Sequence, residues 1–296
     1  MIRWPRDRGL QVRMAGTLFL LALVYFIFIA VLAYIGIETV LLVVIVTIIL
    51  LLQYFFSDRL VLFSMGAREV SEQEEPRLYQ ILTRLCVIAG INRPRIAIVD
   101  KAIPNAFATG RNPKKSVIAV TTGLLSMLNQ EELEAVLAHE LSHVKNRDVM
   151  VITLASLIST AAFFIFRNSF MVSGSRGRNG KQDLWFIIPF FAAGVWIISF
   201  LLIKALSRYR EFSADRGSAI LTGQPSQLAS ALMKISGQME RIPTNDLRDV
   251  EGMNAFFIIP AISGTSIMAL FATHPSIEQR IAALGRIEQE MAGHGV

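Results

Sequence analysis

Residues 129–148 read NQEELEAVLAHELSHVKNRD. Asn129 is a residue type that caps helices, and Glu131, Glu132 and Glu134 follow it where acidic side chains favour the positive end of the helix dipole. The stretch predicts a helix starting near Asn129. Inside it, His139-Glu140-Leu141-Ser142-His143 is an H-E-x-x-H pattern. A spacing of four puts both imidazoles on one helix face, one turn apart. Two neutral ring nitrogens so placed can hold one Zn²⁺ at about 2.0–2.1 Å. Glu140 lies beside them as the candidate general base, taking a proton from a water whose pKa the metal lowers toward about 7. Two solvated histidines on a charged helix would show the same letters. Against that, the chain has only 4 histidines, and Ala135, Val136, Leu137, Ala138, Leu141 and Val144 make this helix strongly apolar. A buried histidine pair with a glutamate needs polar partners.

Two histidines leave such a site one protein ligand short, since open zinc sites use three. The single cysteine, Cys86, is in the apolar run LTRLCVIAG and reads as core packing; it also excludes an intrachain disulfide. Downstream, Glu211 and Asp215 are four apart and share a helix face. Glu211 is assigned as the third ligand, and Asp215 as a carboxylate that orients a histidine ring. Paired charges on a solvated helix are the plainer alternative.

The 296-residue chain is 53% hydrophobic and 18% charged, whereas a soluble domain carries about 25% charge. This excludes a disordered chain, a collagen-like fibre and a basic nucleic-acid-binding tail, and predicts membrane spans. The net charge of +6 is distributed around apolar segments, so no nucleic-acid partner is expected. Residues 14–37, 39–57, 149–166 and 184–203 lack charged side chains. A bilayer core of about 30 Å needs about 20 helical residues. The first two stretches meet around Gly36, Ile37 and Glu38 and predict a tight hairpin. The first is too long for a signal peptide's apolar region, so it reads as a retained span. Residues 252–277 are also uncharged, but Pro260 and the polar residues 263–266 interrupt them, so they read as a buried or membrane-grazing loop. Arg3, Arg6, Arg8 and Arg13 place the N-terminus in the cytoplasm. Arg167, Arg176, Arg178 and Lys181 between the last two stretches oppose that topology if both cross, so these two either follow the first hairpin's orientation or dip in without crossing.

Between these segments, Ser71 with Glu72, Glu74 and Glu75 reads as the capped start of a helix that runs to Ala89 and stops at Gly90. Residues 95–99, 105–109 and 116–120 alternate as strands, predicting a small sheet. Helices follow residue 203, Pro225 and Pro275, and residues 173–180 form a Gly/Ser/Arg-rich loop.

LAHELSHVKNRD at residues 137–148 and EFSAD at 211–215 resemble the HtpX family of membrane zinc endopeptidases. More distantly they resemble the CAAX prenyl proteases. The resemblance extends to the two N-terminal apolar segments, PNAFATG at 104–110, the inserted hairpin and THPSIEQR at 273–280. It implies a bacterial inner-membrane, multi-pass protease with its active site facing the cytoplasm, acting in stress response and quality control of membrane proteins. It gives a functional reading to further residues. PNAFATG becomes a candidate edge strand whose Asn105, Ala106 and Phe107 contact an extended substrate, or else a plain turn and strand. His274 becomes a candidate donor to the developing oxyanion, or else a histidine at a helix entry. Arg280 becomes a partner for a carboxylate of the site.

The expected molecule is a mainly α integral membrane protein, with a gluzincin-like zinc metalloprotease domain, a small β-sheet, two N-terminal transmembrane helices and an inserted hydrophobic hairpin. Its expected parts are a basic tail (1–13), a transmembrane hairpin (14–57), the first part of the catalytic domain (58–148), a hydrophobic hairpin (149–203, with loop 167–183) and the second part (204–296). One Zn²⁺ per chain, protein substrates at the bilayer and a possible homo-oligomer complete the expectation. A processing enzyme for lipidated C-termini and a non-catalytic scaffold with structural zinc stay open beside it.

Overall fold

The computed structural model describes residues 8–35, 48, 51, 55, 58, 59, 61–110, 112–172, 182–239 and 274–293. In chain order the elements are α1 (Arg8–Ile35), β1 (Ala67–Val70), α2 (Pro76–Ala89), β2 (Arg95–Val99), β3 (Ala106–Thr109), a 3₁₀ turn (Pro113–Lys115), β4 (Val117–Thr121), α3 (Thr122–Met127), α4 (Gln130–Asn146), α5 (Asp148–Val172), α6 (Gln182–Thr222), α7 (Pro225–Met239) and α8 (Ile277–Gly293). The described residues fall into two compact units, one within Phe55–Met150 and Ser207–Val296, the other within Arg8–Tyr54 and Val151–Leu206.

The first unit is built on a four-stranded mixed sheet of order β1-β2-β4-β3. β2 and β4 run parallel, pairing Arg95 with Val117 through to Val99 with Thr121. β1 and β3 are the antiparallel edges. Side chains alternate across a strand, and β4 shows the result: Ile118 and Val120 join the large core with Leu82, Leu85, Leu133 and Leu137, while Val117 and Ala119 pack with Met65, Ala97, Val99 and Phe107 on the other face. Burying a Leu or Ile side chain in this way contributes roughly 1.5–3 kcal/mol. α2, α4, α7 and α8 supply the helical side of the large core.

Three details depart from the reading of the sequence. β1 was not anticipated: its four residues, Ala-Arg-Glu-Val, carry two charges and too little alternation. The first helix of this unit begins at Pro76 rather than after Ser71. Pro76 fits the first helical position, where no N–H is needed, and it pushes Glu75 out of the helical region, to φ −132° and ψ 63°. Ser71 instead closes a separate turn, its N–H and hydroxyl both bonded to Glu74 at 2.7 and 2.9 Å. Third, α6 continues unbroken from Gln182 to Thr222. Past residue 203 no glycine or proline interrupts the backbone before Gly217, and even that one leaves the helix intact.

In the second unit, α1 and parts of α5 and α6 pack through Phe28, Leu32, Ala162, Ala192 and Val195. Ala162 and Ala192 are fully buried, and small residues of this kind let helices approach closely in a bilayer. Outward, Phe19, Phe26 and Phe190 are 69%, 71% and 63% exposed. An apolar exterior on helices of this length is what a lipid environment selects. Among the described residues, three helices are long and apolar enough to span a membrane: Arg8–Tyr34, Asp148–Arg167 and Ile187–Thr222. The expected second span (39–57), apart from isolated positions, lies outside the described residues, as do most of the interrupted apolar stretch (252–277), most of the loop at 167–183 and the first part of the basic tail.

Candidate metal centre

α4 starts with a complete capping box: Asn129 accepts from the Glu132 N–H and Glu132 accepts from the Asn129 N–H. With its start fixed, the helix turns Leu133, Val136, Leu137, Ala138 and Leu141 into the core. His139 and Glu140 are buried with them, and His143 is half-buried. α6 brings Glu211 to the same place. One ligand atom from each of His139, His143 and Glu211 lies within 4.8 Å of the others. The two Nε2 atoms are 3.1 Å apart, and the Glu211 oxygens lie 3.7 Å from His139 Nε2 and 3.5 Å from His143 Nε2.

The opposite edge of each imidazole faces a carboxylate. His139 Nδ1 is 3.0 Å from Asp215 Oδ1, and His143 Nδ1 is 2.6 Å from Asp148 Oδ2. An imidazole that donates Nδ1–H to a carboxylate presents a lone pair at Nε2. Both Nε2 lone pairs then converge on a third acceptor, the Glu211 carboxylate, whose buried Oε2 also faces Arg280 Nη1 at 3.5 Å. Two Nε2 lone pairs and a carboxylate oxygen turned toward one point are an arrangement that a cation stabilises. Two nitrogens and one carboxylate oxygen form the donor set of an open zinc site, so the residues present fit the metal.

Glu140 is enclosed beside this group. Burial raises its carboxyl pKa, while the neighbouring His139 and His143 and a hydrogen bond from the Ala108 backbone work the other way. Ala108 is in β3, the edge strand. The Thr121 N–H bonds the Asn105 carbonyl, so by antiparallel alternation residues 105, 107 and 109 bond to β4 while residues 106 and 108 turn their backbone groups outward. The side chains of Ala106 and Phe107 are buried in the two cores, and Asn105 is buried.

His274, just before α8 begins at Ile277, places Nδ1 3.1 Å from Glu211 Oε2. Arg280, on α8, is fully buried and donates to Asp215 from Nε at 2.9 Å and from Nη2 at 2.5 Å. Burial opposes its charge, but Asp215 and Glu211 more than offset this and hold its pKa above the usual arginine value.

Residues 72–288 match Peptidase family M48. This chain belongs to peptidase family M48. It is an HtpX-type membrane metallopeptidase: it is 58% identical over 293 residues to Protease HtpX homolog 2 of Methanosarcina acetivorans, spanning 98% of this chain and 99% of that one. It is 56% identical to the Protease HtpX homolog of Moorella thermoacetica, over 96% of each chain. It is 49% identical to Protease HtpX homolog 1 of Streptomyces coelicolor, over 98% of this chain and 96% of that one. Its fold resembles the crystal structure of S. mikatae Ste24p, with a TM-score of 0.56 at 17% identity, covering 92% of this chain and 67% of that one.

Two residues of this M48 site were not picked out from the sequence. Asp148 contacts His143, and Arg210 contacts Asp148 while its Nη2 donates to the Asn146 carbonyl at 2.9 Å. The signal available for Asp148 was only its place at the end of the HELSHVKNRD run.

Proposed function

We propose that this M48 peptidase is a zinc endopeptidase that cleaves peptide bonds of misfolded or damaged membrane proteins. The observation that supports this most is the convergence of His139, His143 and Glu211 next to buried Glu140 and the outward edge of β3. One zinc ion per chain, held by these three residues, supplies Lewis-acid polarisation of the scissile carbonyl and of water. Glu140 takes the proton of the attacking water and passes it to the leaving amine. Asp215 fixes the His139 ring, and Arg280 neutralises Asp215. The outward backbone groups of Ala106 and the outward carbonyl of Ala108, whose N–H is held by Glu140, receive an extended substrate as an added strand. The contact of His274 with Glu211 leaves its role as an oxyanion donor dependent on reorientation when substrate enters.

The site's sequence neighbours support substrates presented at a bilayer. Asp148 opens an apolar helix, and Glu211 follows another on α6. With the second apolar stretch as the partner of α1 in a hairpin, and the basic N-terminal tail in the cytoplasm, the active site faces the cytoplasm. Similar proteins come from Methanosarcina as well as Streptomyces, so the compartment we propose is the cell membrane rather than the bacterial inner membrane alone.

The test is to strip metal from the detergent-purified protein, add back Zn²⁺, and offer an unfolded membrane protein and a prenylated peptide side by side. Zinc-dependent cleavage of the first supports this reading. Cleavage of the prenylated peptide alone supports a processing enzyme for lipidated C-termini. Full zinc loading without cleavage of either supports a structural metal.

A further inference from the structure

Asp148 has no obvious reason to reach His143. It is five residues on, and in a continuous helix position i+5 lies about 140° around the axis from i. The chain breaks the helix between them. Arg147 adopts the left-handed conformation, φ 56° and ψ 42°, and its N–H bonds back to the α4 carbonyls. It is the non-glycine residue with positive φ among the described residues. Such a conformation costs roughly 1–2 kcal/mol for an L-residue and persists only where its surroundings demand it. Its consequence is that Asp148, now the first residue of α5, swings back and sets Oδ2 2.6 Å from His143 Nδ1.

Asp148 is buried, and a buried carboxylate needs a counter-charge. Arg210 supplies it: also buried, it contacts the same carboxylate and caps the α4 C-terminus through the Asn146 carbonyl. A cation is favoured at that end of a helix. Arg210 directly precedes Glu211 on α6, so its two anchors also limit how α6 can rotate and where Glu211 points.

The arrangement repeats what surrounds the other histidine. His139 is met by Asp215 and Asp215 by Arg280, while His143 is met by Asp148 and Asp148 by Arg210. We infer that Asp148 and Arg210 form a positioning pair for the metal ligand His143, in parallel with Asp215 and Arg280 for His139. The inference rests on the metal site proposed above. Asp148 selects the tautomer with Nε2 free to ligate and fixes the ring plane; Arg210 holds the Asp148 carboxylate in place and ties it to the Glu211 segment. Partners of this kind change metal affinity by about 10–100-fold when removed.

The test uses the full-length protein in detergent, stripped of metal and titrated with Zn²⁺ against a chromophoric chelator. Cobalt absorption spectra are recorded in parallel. Wild type and His143→Ala come first. If wild type does not take up one zinc, or His143→Ala binds as well as wild type, the metal-site reading fails and the inference with it. Given a wild-type site, Asp148→Asn is expected to weaken Zn²⁺ binding about 10–100-fold and to shift the cobalt spectrum, with helicity unchanged. Arg210→Gln should weaken it less, and adding it to Asp148→Asn should cost little more, as for residues acting through one contact. If Asp148→Asn does not fold, Arg210→Lys carries the test, since it keeps the charge but loses the planar, multi-donor geometry. Zinc affinity within about twofold of wild type and an unchanged cobalt spectrum, even with lowered thermal stability, would show a merely structural clamp and overturn the inference.

Discussion

The Asp215 carboxylate bridges His139 and Arg280: Oδ1 is 3.0 Å from His139 Nδ1 and 2.5 Å from Arg280 Nη2, and all three side chains are at most 2% exposed. The two sides of this bridge have different consequences. Asp215→Asn removes the charge but keeps the shape, so zinc affinity is expected to fall about 10–100-fold. Arg280→Leu leaves an uncompensated buried carboxylate and is expected to destabilise the fold by about 3–5 kcal/mol. Chelator competition measures the first, and thermal unfolding of the metal-free protein measures the second.

The start of α4 predicts a pH dependence. Glu132 is buried; desolvation raises its pKa, but hydrogen bonds from Lys234, Ser230 and the Asn129 backbone outweigh this and hold it below its ordinary 4.5. A carboxyl lowered in the folded state contributes stability above the unfolded value and loses it as pH falls through the folded value. Glu132→Gln is expected to cost roughly 1–2 kcal/mol at neutral pH, through loss of the charged contact with Lys234 at 2.8 Å. The gap between the variant and wild type should close progressively below pH 4.5. Unfolding measured at several pH values checks it; a gap that is constant with pH contradicts it.

Gly123, at the start of α3, predicts a steric effect. A Cβ there would lie 2.1 Å from the Ala102 carbonyl oxygen, and the Gly123 N–H already bonds the Lys101 carbonyl at 3.0 Å. Both neighbours are backbone, so neither yields cheaply. Gly123→Ala is expected to destabilise the first unit by about 1–3 kcal/mol, the usual range for overpacking, as read by thermal unfolding. A melting temperature equal to wild type would contradict it.

What could be read from the sequence follows from which distances are local. His139 and His143 are four apart on one helix, and so are Glu211 and Asp215, so periodicity alone placed each pair on one face. That the two pairs meet is a tertiary fact, suggested by ligand count and not by spacing. The contact of Arg280 with Asp215 spans 65 residues and was reached only through the resemblance. Asp148 escaped because the left-handed turn at Arg147 reverses a helical expectation, and nothing about an arginine announces that conformation. β1 escaped because its pairing with β2, Ala67 opposite Val99 through Val70 opposite Ile96, carries the strand rather than its own pattern. α2 starts at Pro76 and not after Ser71 because a proline fixes the first helical position and excludes the residue before it from the helix, a stronger constraint than a cap-type serine.

The most direct test of the central claim is to compare wild type with Glu140→Gln for bound zinc and for peptide hydrolysis in the same preparation. Glu140 is enclosed beside the metal group but is not one of its three members. The expected result is one zinc per chain in both proteins, with hydrolysis reduced by about 10²–10⁴-fold in the variant, the usual share of general acid–base catalysis. Equal hydrolysis by the two proteins at equal zinc content would contradict the account.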